Sequence, residues 1–128
     1  MPDKGGPTRY LPRWLLFITW GVSILWLSLT SSPPVPVTGL LAWDKFQHAA
    51  SFGLLTLLGY YAFTRLSSFR RRLICAVAVS VIFGALVEVA QGLLTTARTA
   101  EAGDLVADIV GTAAACAVVA CGRRPHQS

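Results

Sequence analysis

Charge is what this chain lacks most. Asp, Glu, Lys and Arg together make up 13% of its 128 residues, against about 25% in soluble domains, too little to cover a water-facing surface. Cysteine is also sparse. Cys75, Cys116 and Cys121 all lie in apolar stretches without C-x-x-C spacing, which argues against a disulfide framework or a structural zinc site and leaves them as small packing residues. The compact H-E-x-x-H metal motif and the G-x-S-x-G nucleophile turn are absent too. What is abundant is apolar: 54% of the residues are hydrophobic. In such a chain the net charge of +5 calls for no nucleic-acid partner, because the basic residues sort by position along the chain.

Four segments, at 13 to 30, 45 to 66, 71 to 94 and 104 to 121, are apolar enough to be read as crossings of a bilayer core about 30 Å thick. The expected fold is all-α: a polytopic membrane protein with four transmembrane helices in a compact bundle. It divides into a tail at 1–12, one membrane domain at 13–122 and a second tail at 123–128. The first span has the outline of a signal peptide, but the best cleavage point, after Ser32, is followed by Pro33 and Pro34. An uncleaved anchor is expected.

Basic residues alternate from loop to loop. Lys4, Arg9 and Arg13 precede the first span, Arg65, Arg70, Arg71 and Arg72 lie between the second and third, and Arg123 and Arg124 follow the fourth. The other two connections hold only Lys45, at a helix start, and Arg98. The positive-inside rule then places both termini and the middle loop in the cytoplasm, in a cell-membrane protein. It puts the proline-rich connection Ser31 to Pro36 and the loop from Thr95 to Gly103 outside.

Three polar clusters share that outer side: Asp44 to His48, Glu88 to Gln91, and Arg98 to Asp108. An Arg, Lys or Asp at the centre of a membrane helix costs about 2.5 to 3.5 kcal/mol on insertion scales, so such residues point to function. Asp44 and His48, four apart, fall on one helix face, with Asp44 also placed to cap its helix. Glu88 and Gln91 share a face one to two turns inside the next helix end. The Glu88 carboxyl needs a cation, a hydrogen bond or a proton, and Lys45, His48 and Arg98 are the candidate partners. Asp104 and Asp108 repeat the four-residue spacing on the last span. There Ala107, Gly111 and Ala115 form a small-residue stripe that favours close helix packing, which would draw His48, Glu88 and Asp108 to a common interior. Trp14, Trp43, Tyr60 and Tyr61 read as interfacial anchors, and Trp20 and Trp26 as packing or lipid-facing residues.

The order Asp-Lys-x-x-His, then Glu-x-x-Gln, then Arg-Thr-x-x-x-x-Asp-x-x-x-Asp-x-x-Gly over residues 40 to 122 resembles the VanZ-like family. Asp44, Lys45, His48, Glu88, Gln91, Arg98, Asp104 and Gly111 fall on its motif positions, whereas Asp108 stands where the family typically has Asn. The resemblance implies a small multi-helix membrane protein of a family named for resistance to the glycopeptide teicoplanin, and it implies no defined reaction. The expected site is therefore Asp44, Lys45, His48, Glu88, Gln91, Arg98, Asp104 and Asp108, without metal or cofactor. Three readings stay open. The first is a binding protein for membrane lipid, a lipoglycopeptide or a lipid-linked wall precursor. The second is an intramembrane enzyme using His48 and Glu88 as acid and base. The third is a proton relay, disfavoured by the lack of charge in the cytoplasmic halves of the spans.

Overall fold

The computed structural model describes residues 7–30, 38–39, 43–96 and 100–123. The connection at 31–37, Arg98 and both tail ends, with Lys4 and Arg124, lie outside them. A short 3-10 turn at Pro7–Arg9 leads into four α-helices: α1 (Leu11–Leu29), α2 (Asp44–Ala62), α3 (Phe69–Leu94) and α4 (Ala102–Gly122). No strand occurs among the described residues.

Helices α1, α3 and α4 are each long and apolar enough to cross a membrane. At about 1.5 Å per residue, the 19, 26 and 21 residues of these three reach or exceed about 28 Å. α2 also has 19 residues but is not among them, because Asp44, Lys45, Gln47 and His48 crowd its start. It also ends at Ala62, short of the expected residue 66. There the Leu66 N–H turns back to the Phe63 carbonyl at 3.0 Å, and Ser68 precedes α3.

The position of α2 explains how it carries polar residues. It packs on all three other helices, most extensively on α4, while α1 and α4 stay apart on opposite sides of the α2/α3 pair. Large apolar side chains face outward mainly from the other three, including Leu16 and Val22 of α1, Ile82 and Leu86 of α3, and Val106 and Val118 of α4. An exposed apolar surface of this extent marks contact with a partner or a membrane.

One core cluster joins Ile24, Phe52, Leu55 and Val87, with Phe17, Trp20, Leu25 and Phe83 against it; another joins Tyr60, Ala76 and Val119. Tyr60 is therefore a core residue, a correction to its reading as an interfacial anchor. Its burial follows from Arg72, whose guanidinium lies 4.2 Å from the Tyr60 ring centroid and donates to the Tyr60 carbonyl from Nε and Nη2. Trp43 and Tyr61 are exposed. Trp14 packs edge-on against Phe17 and Phe63, and Trp20 donates its indole N–H to the Ser51 carbonyl at 3.0 Å. All three cysteines are free thiols.

The small-residue stripe is the α2/α4 contact itself. A Cβ placed on Gly111 would lie 1.9 Å from the Ala49 carbonyl oxygen, and one on Gly53 would lie 3.0 Å from the Gly111 oxygen. Backbone meets backbone here, and Gly removes the only obstacle.

At mid-bundle, one hydroxyl from each of three helices meets. Thr56 of α2 donates to the Phe52 carbonyl at 2.8 Å, and its oxygen lies 2.9 Å from Ser80 Oγ and 3.2 Å from Thr112 Oγ1. Having one proton, Thr56 gives it to Phe52 and accepts from its neighbours. All three are buried, so Thr56→Val, which keeps shape but deletes the hub, strands two hydroxyls away from water. A loss of about 1 to 2 kcal/mol is expected, read as a lower Tm in detergent. An unchanged Tm would mean that Ser80 and Thr112 find other partners.

Candidate functional site

The site grows from the N-terminal turns of α2 and α4 and the C-terminal turns of α3. Trp43, in extended conformation, occupies the N-cap of α2, and its carbonyl accepts the N–H groups of Phe46 and Gln47, each at 3.1 Å. Asp44 is thus a first-turn residue rather than the cap, which corrects the expectation. Its charge still suits the positive end of the helix dipole. Glu101 similarly caps α4 and leaves Asp104 in the first turn.

At the rim, Lys45 donates from Nζ to Glu101 Oε2 at 2.7 Å and, more closely, to Asp104 Oδ1. The stem of Lys45 passes over Gly103, where a Cβ would meet Cε at 3.2 Å. Lys45 therefore bridges α2 and α4 and is not the partner expected for Glu88. Glu101 is more than half exposed, whereas the Asp104 side chain is 7% exposed. The outer half of this bridge is wet and the inner half is not.

One turn deeper, the buried His48 ring sits between the two aspartates of α4. Nδ1 is 2.9 Å from Asp108 Oδ1, and Nε2 is 3.6 Å from Asp104 Oδ2. Phe52 lies parallel to the imidazole, ring centroids 6.4 Å apart with 3° between planes, and forms an apolar floor. Glu88 comes in from α3, its Oε2 accepting the Glu101 backbone N–H at 3.0 Å. Potential ligand atoms of His48, Glu88 and Asp108 lie within 4.8 Å of one another, as do those of Asp44, His48 and Asp104. Glu88 Oε1 and Asp108 Oδ2 are buried with no hydrogen-bond partner. Gly84 makes the room, since a Cβ there would lie 2.8 Å from Asp108 Oδ2.

The structure thus brings together Asp44, Lys45, His48, Glu88, Asp104 and Asp108. Gln91 stands apart: its Nε2 donates to the Ser28 carbonyl at 3.0 Å and ties α3 to the end of α1. Arg98 lies outside the described residues. Sequence reasoning did not assign Glu101 to the site, although its place three residues before Asp104 put it within a helical turn. It also missed Gly84 and Gly103, whose only signal was glycine beside a polar cluster.

An apolar groove of about 420 Å³ lies between α2 and α4. Phe46, Ala49 and Gly53 line it from α2, and Gly111, Ala114 and Val118 from α4. It begins next to Lys45 and His48 in the sequence. From Phe46 to Leu57 it runs about 16 Å along the helix at about 1.5 Å per residue.

Chemically, a buried imidazole held by a carboxylate is oriented for proton exchange or ligand contact. No protein-family model, curated protein or solved structure matches the chain.

Proposed function

We propose that this chain is a VanZ-like protein of the cell membrane that binds an envelope amphiphile, with the polar head at the His48 cluster and the acyl tail in the α2/α4 groove. The observation that carries this reading is that the same two helices, α2 and α4, carry both a buried ionisable cluster and an apolar groove, whose lining residues Phe46 and Ala49 are sequence neighbours of Lys45 and His48. Such sites combine an apolar lining with a few convergent polar groups. The protein crosses the membrane four times with both termini in the cytoplasm, α2 crossing inside the screen of the other three helices. The alternation of basic loops supports that orientation, and motif order over residues 40 to 122 supports the family. The ligand is a lipoglycopeptide of the teicoplanin type or a lipid-linked wall precursor, which ties the protein to glycopeptide resistance.

Binding of a labelled lipoglycopeptide or lipid-linked precursor to the purified chain tests this. His48→Ala and Glu88→Gln are each expected to weaken it by about tenfold or more, the loss of one charge-assisted contact of about 1.5 to 3 kcal/mol. Wild-type affinity in both variants at equal expression would sink the proposal.

A second reading is an intramembrane enzyme acting on an envelope lipid. The Nδ1 to Asp108 contact at 2.9 Å favours it, because a fixed ring leaves Nε2 positioned to move a proton, with Glu88 as the complementary acid or base. Turnover of a purified lipid by the wild type but not by His48→Ala would select this reading.

A further inference from the structure

Glu88 and Asp108 are carboxylates 8% and 1% exposed, yet each keeps one buried oxygen without a partner. Burying a carboxylate group without full pairing is costly. Lys45 is engaged by Glu101 and Asp104, and among the described residues no Lys or Arg forms an ion pair with Glu88 or Asp108. The two orphaned oxygens belong to residues that, with His48, can present three ligand atoms within 4.8 Å of one another.

We propose that His48, Glu88 and Asp108 bind one first-row divalent cation, Mn²⁺ or Zn²⁺, between α2, α3 and α4. The spacing suits such an ion. Two donors at about 2.1 Å from one metal lie about 3.0 Å apart at the right angles of an octahedral ion and about 3.4 Å apart at the tetrahedral angle of zinc, so the 2.9 Å between His48 Nδ1 and Asp108 Oδ1 is nearest the octahedral spacing and needs a small opening for zinc. The imidazole selects against Mg²⁺ and Ca²⁺, and the carboxylates supply the negative charge that a divalent ion balances. The compact sequence motifs for metal missed this set because its ligands come from three helices, one each. The second group, Asp44, His48 and Asp104, competes poorly for the ion, because Asp104 is already neutralised by Lys45. This inference is independent of the amphiphile reading.

The test uses the full chain in nanodiscs, with its affinity tag removed and the protein stripped by chelator. MnCl₂ and ZnCl₂ are added separately, and bound metal is counted by elemental analysis after desalting. One ion per chain is expected. Loss of even an outer-shell partner commonly costs about tenfold to a hundredfold in metal affinity, so Glu88→Gln and Asp108→Asn should each lose at least about tenfold. In the Mn²⁺ form, pulsed electron paramagnetic resonance should show coupling to an imidazole nitrogen that disappears in His48→Gln. Cys121→Ser should bind as the wild type does. Absence of bound metal with both ions, wild-type affinity in both carboxylate variants, or loss of binding in Cys121→Ser would each overturn the proposal. Should Asp108→Asn fail to fold, Glu88→Gln and the nitrogen coupling decide. Because no amphiphile is present, a negative result leaves the lipid-binding reading standing.

Discussion

Gly111→Ala is expected to leave little correctly folded protein. The added methyl would sit 1.9 Å from the Ala49 carbonyl oxygen and 2.6 Å from its carbon, and neither is a side chain that can turn away. Overpacking usually costs about 1 to 3 kcal/mol. With backbone as the obstacle, the upper end applies, because α2 and α4 must move apart and forfeit the close packing that holds helices together in lipid. The same pair of helices carries the contacts of Lys45 with Asp104 and of His48 with Asp108, so the pocket would come apart with the packing. Thermal unfolding in detergent gives the readout. Gly53→Ala, 3.0 Å from the Gly111 oxygen, should fall less, and Gly122→Ala, where nothing lies within 4 Å, should be neutral. A wild-type Tm for Gly111→Ala would show that the helices do not meet this closely.

The second large effect is expected for Lys45→Met. Removing the ammonium leaves Asp104 buried without its cation, and an uncompensated buried charge is far more harmful than a broken surface pair. The expected result is a clear drop in Tm, largely restored by adding Asp104→Asn and hardly at all by adding Glu101→Gln. The asymmetry follows from exposure, since the Glu101 side chain is 56% exposed and that of Asp104 is 7%. Equal rescue by the two second-site changes would contradict the account, as would a neutral Lys45→Met.

The helices were legible because long apolar runs and basic loops leave few alternatives, and their ends were off by only a few residues. The meeting of His48, Glu88 and Asp108 could be anticipated from helical spacing and from the stripe through Gly111, which says which faces approach. Partner choice could not be. Whether Lys45 reaches Glu88 or Asp104 depends on the rotation of α2 against α4, and that rotation is set by Gly111 meeting Ala49, a contact between residues far apart in the chain. Gln91 carried the same ambiguity: its spacing from Glu88 fits a shared face, but a helix face is wide enough for one residue to reach Ser28 and the other the pocket. The hydroxyls of Thr56, Ser80 and Thr112 were invisible for a different reason. Each is an ordinary residue in an apolar run, and only a common depth on three helices makes them a group.

The contact of Arg72 with Tyr60 also has a mechanical consequence. It staples the start of α3 to the end of α2 with two hydrogen bonds and a ring contact, and Arg123 over Phe69, 4.0 Å from the ring centroid, adds the end of α4 to the same knot. The opposite rim is held by the ion pairs of Lys45, of which the one to Glu101 is open to water and the one to Asp104 is not. The two ends of the bundle are therefore fastened by different chemistry, and added salt should loosen the exposed Lys45–Glu101 pair while leaving the Arg72 bonds to the Tyr60 carbonyl in place.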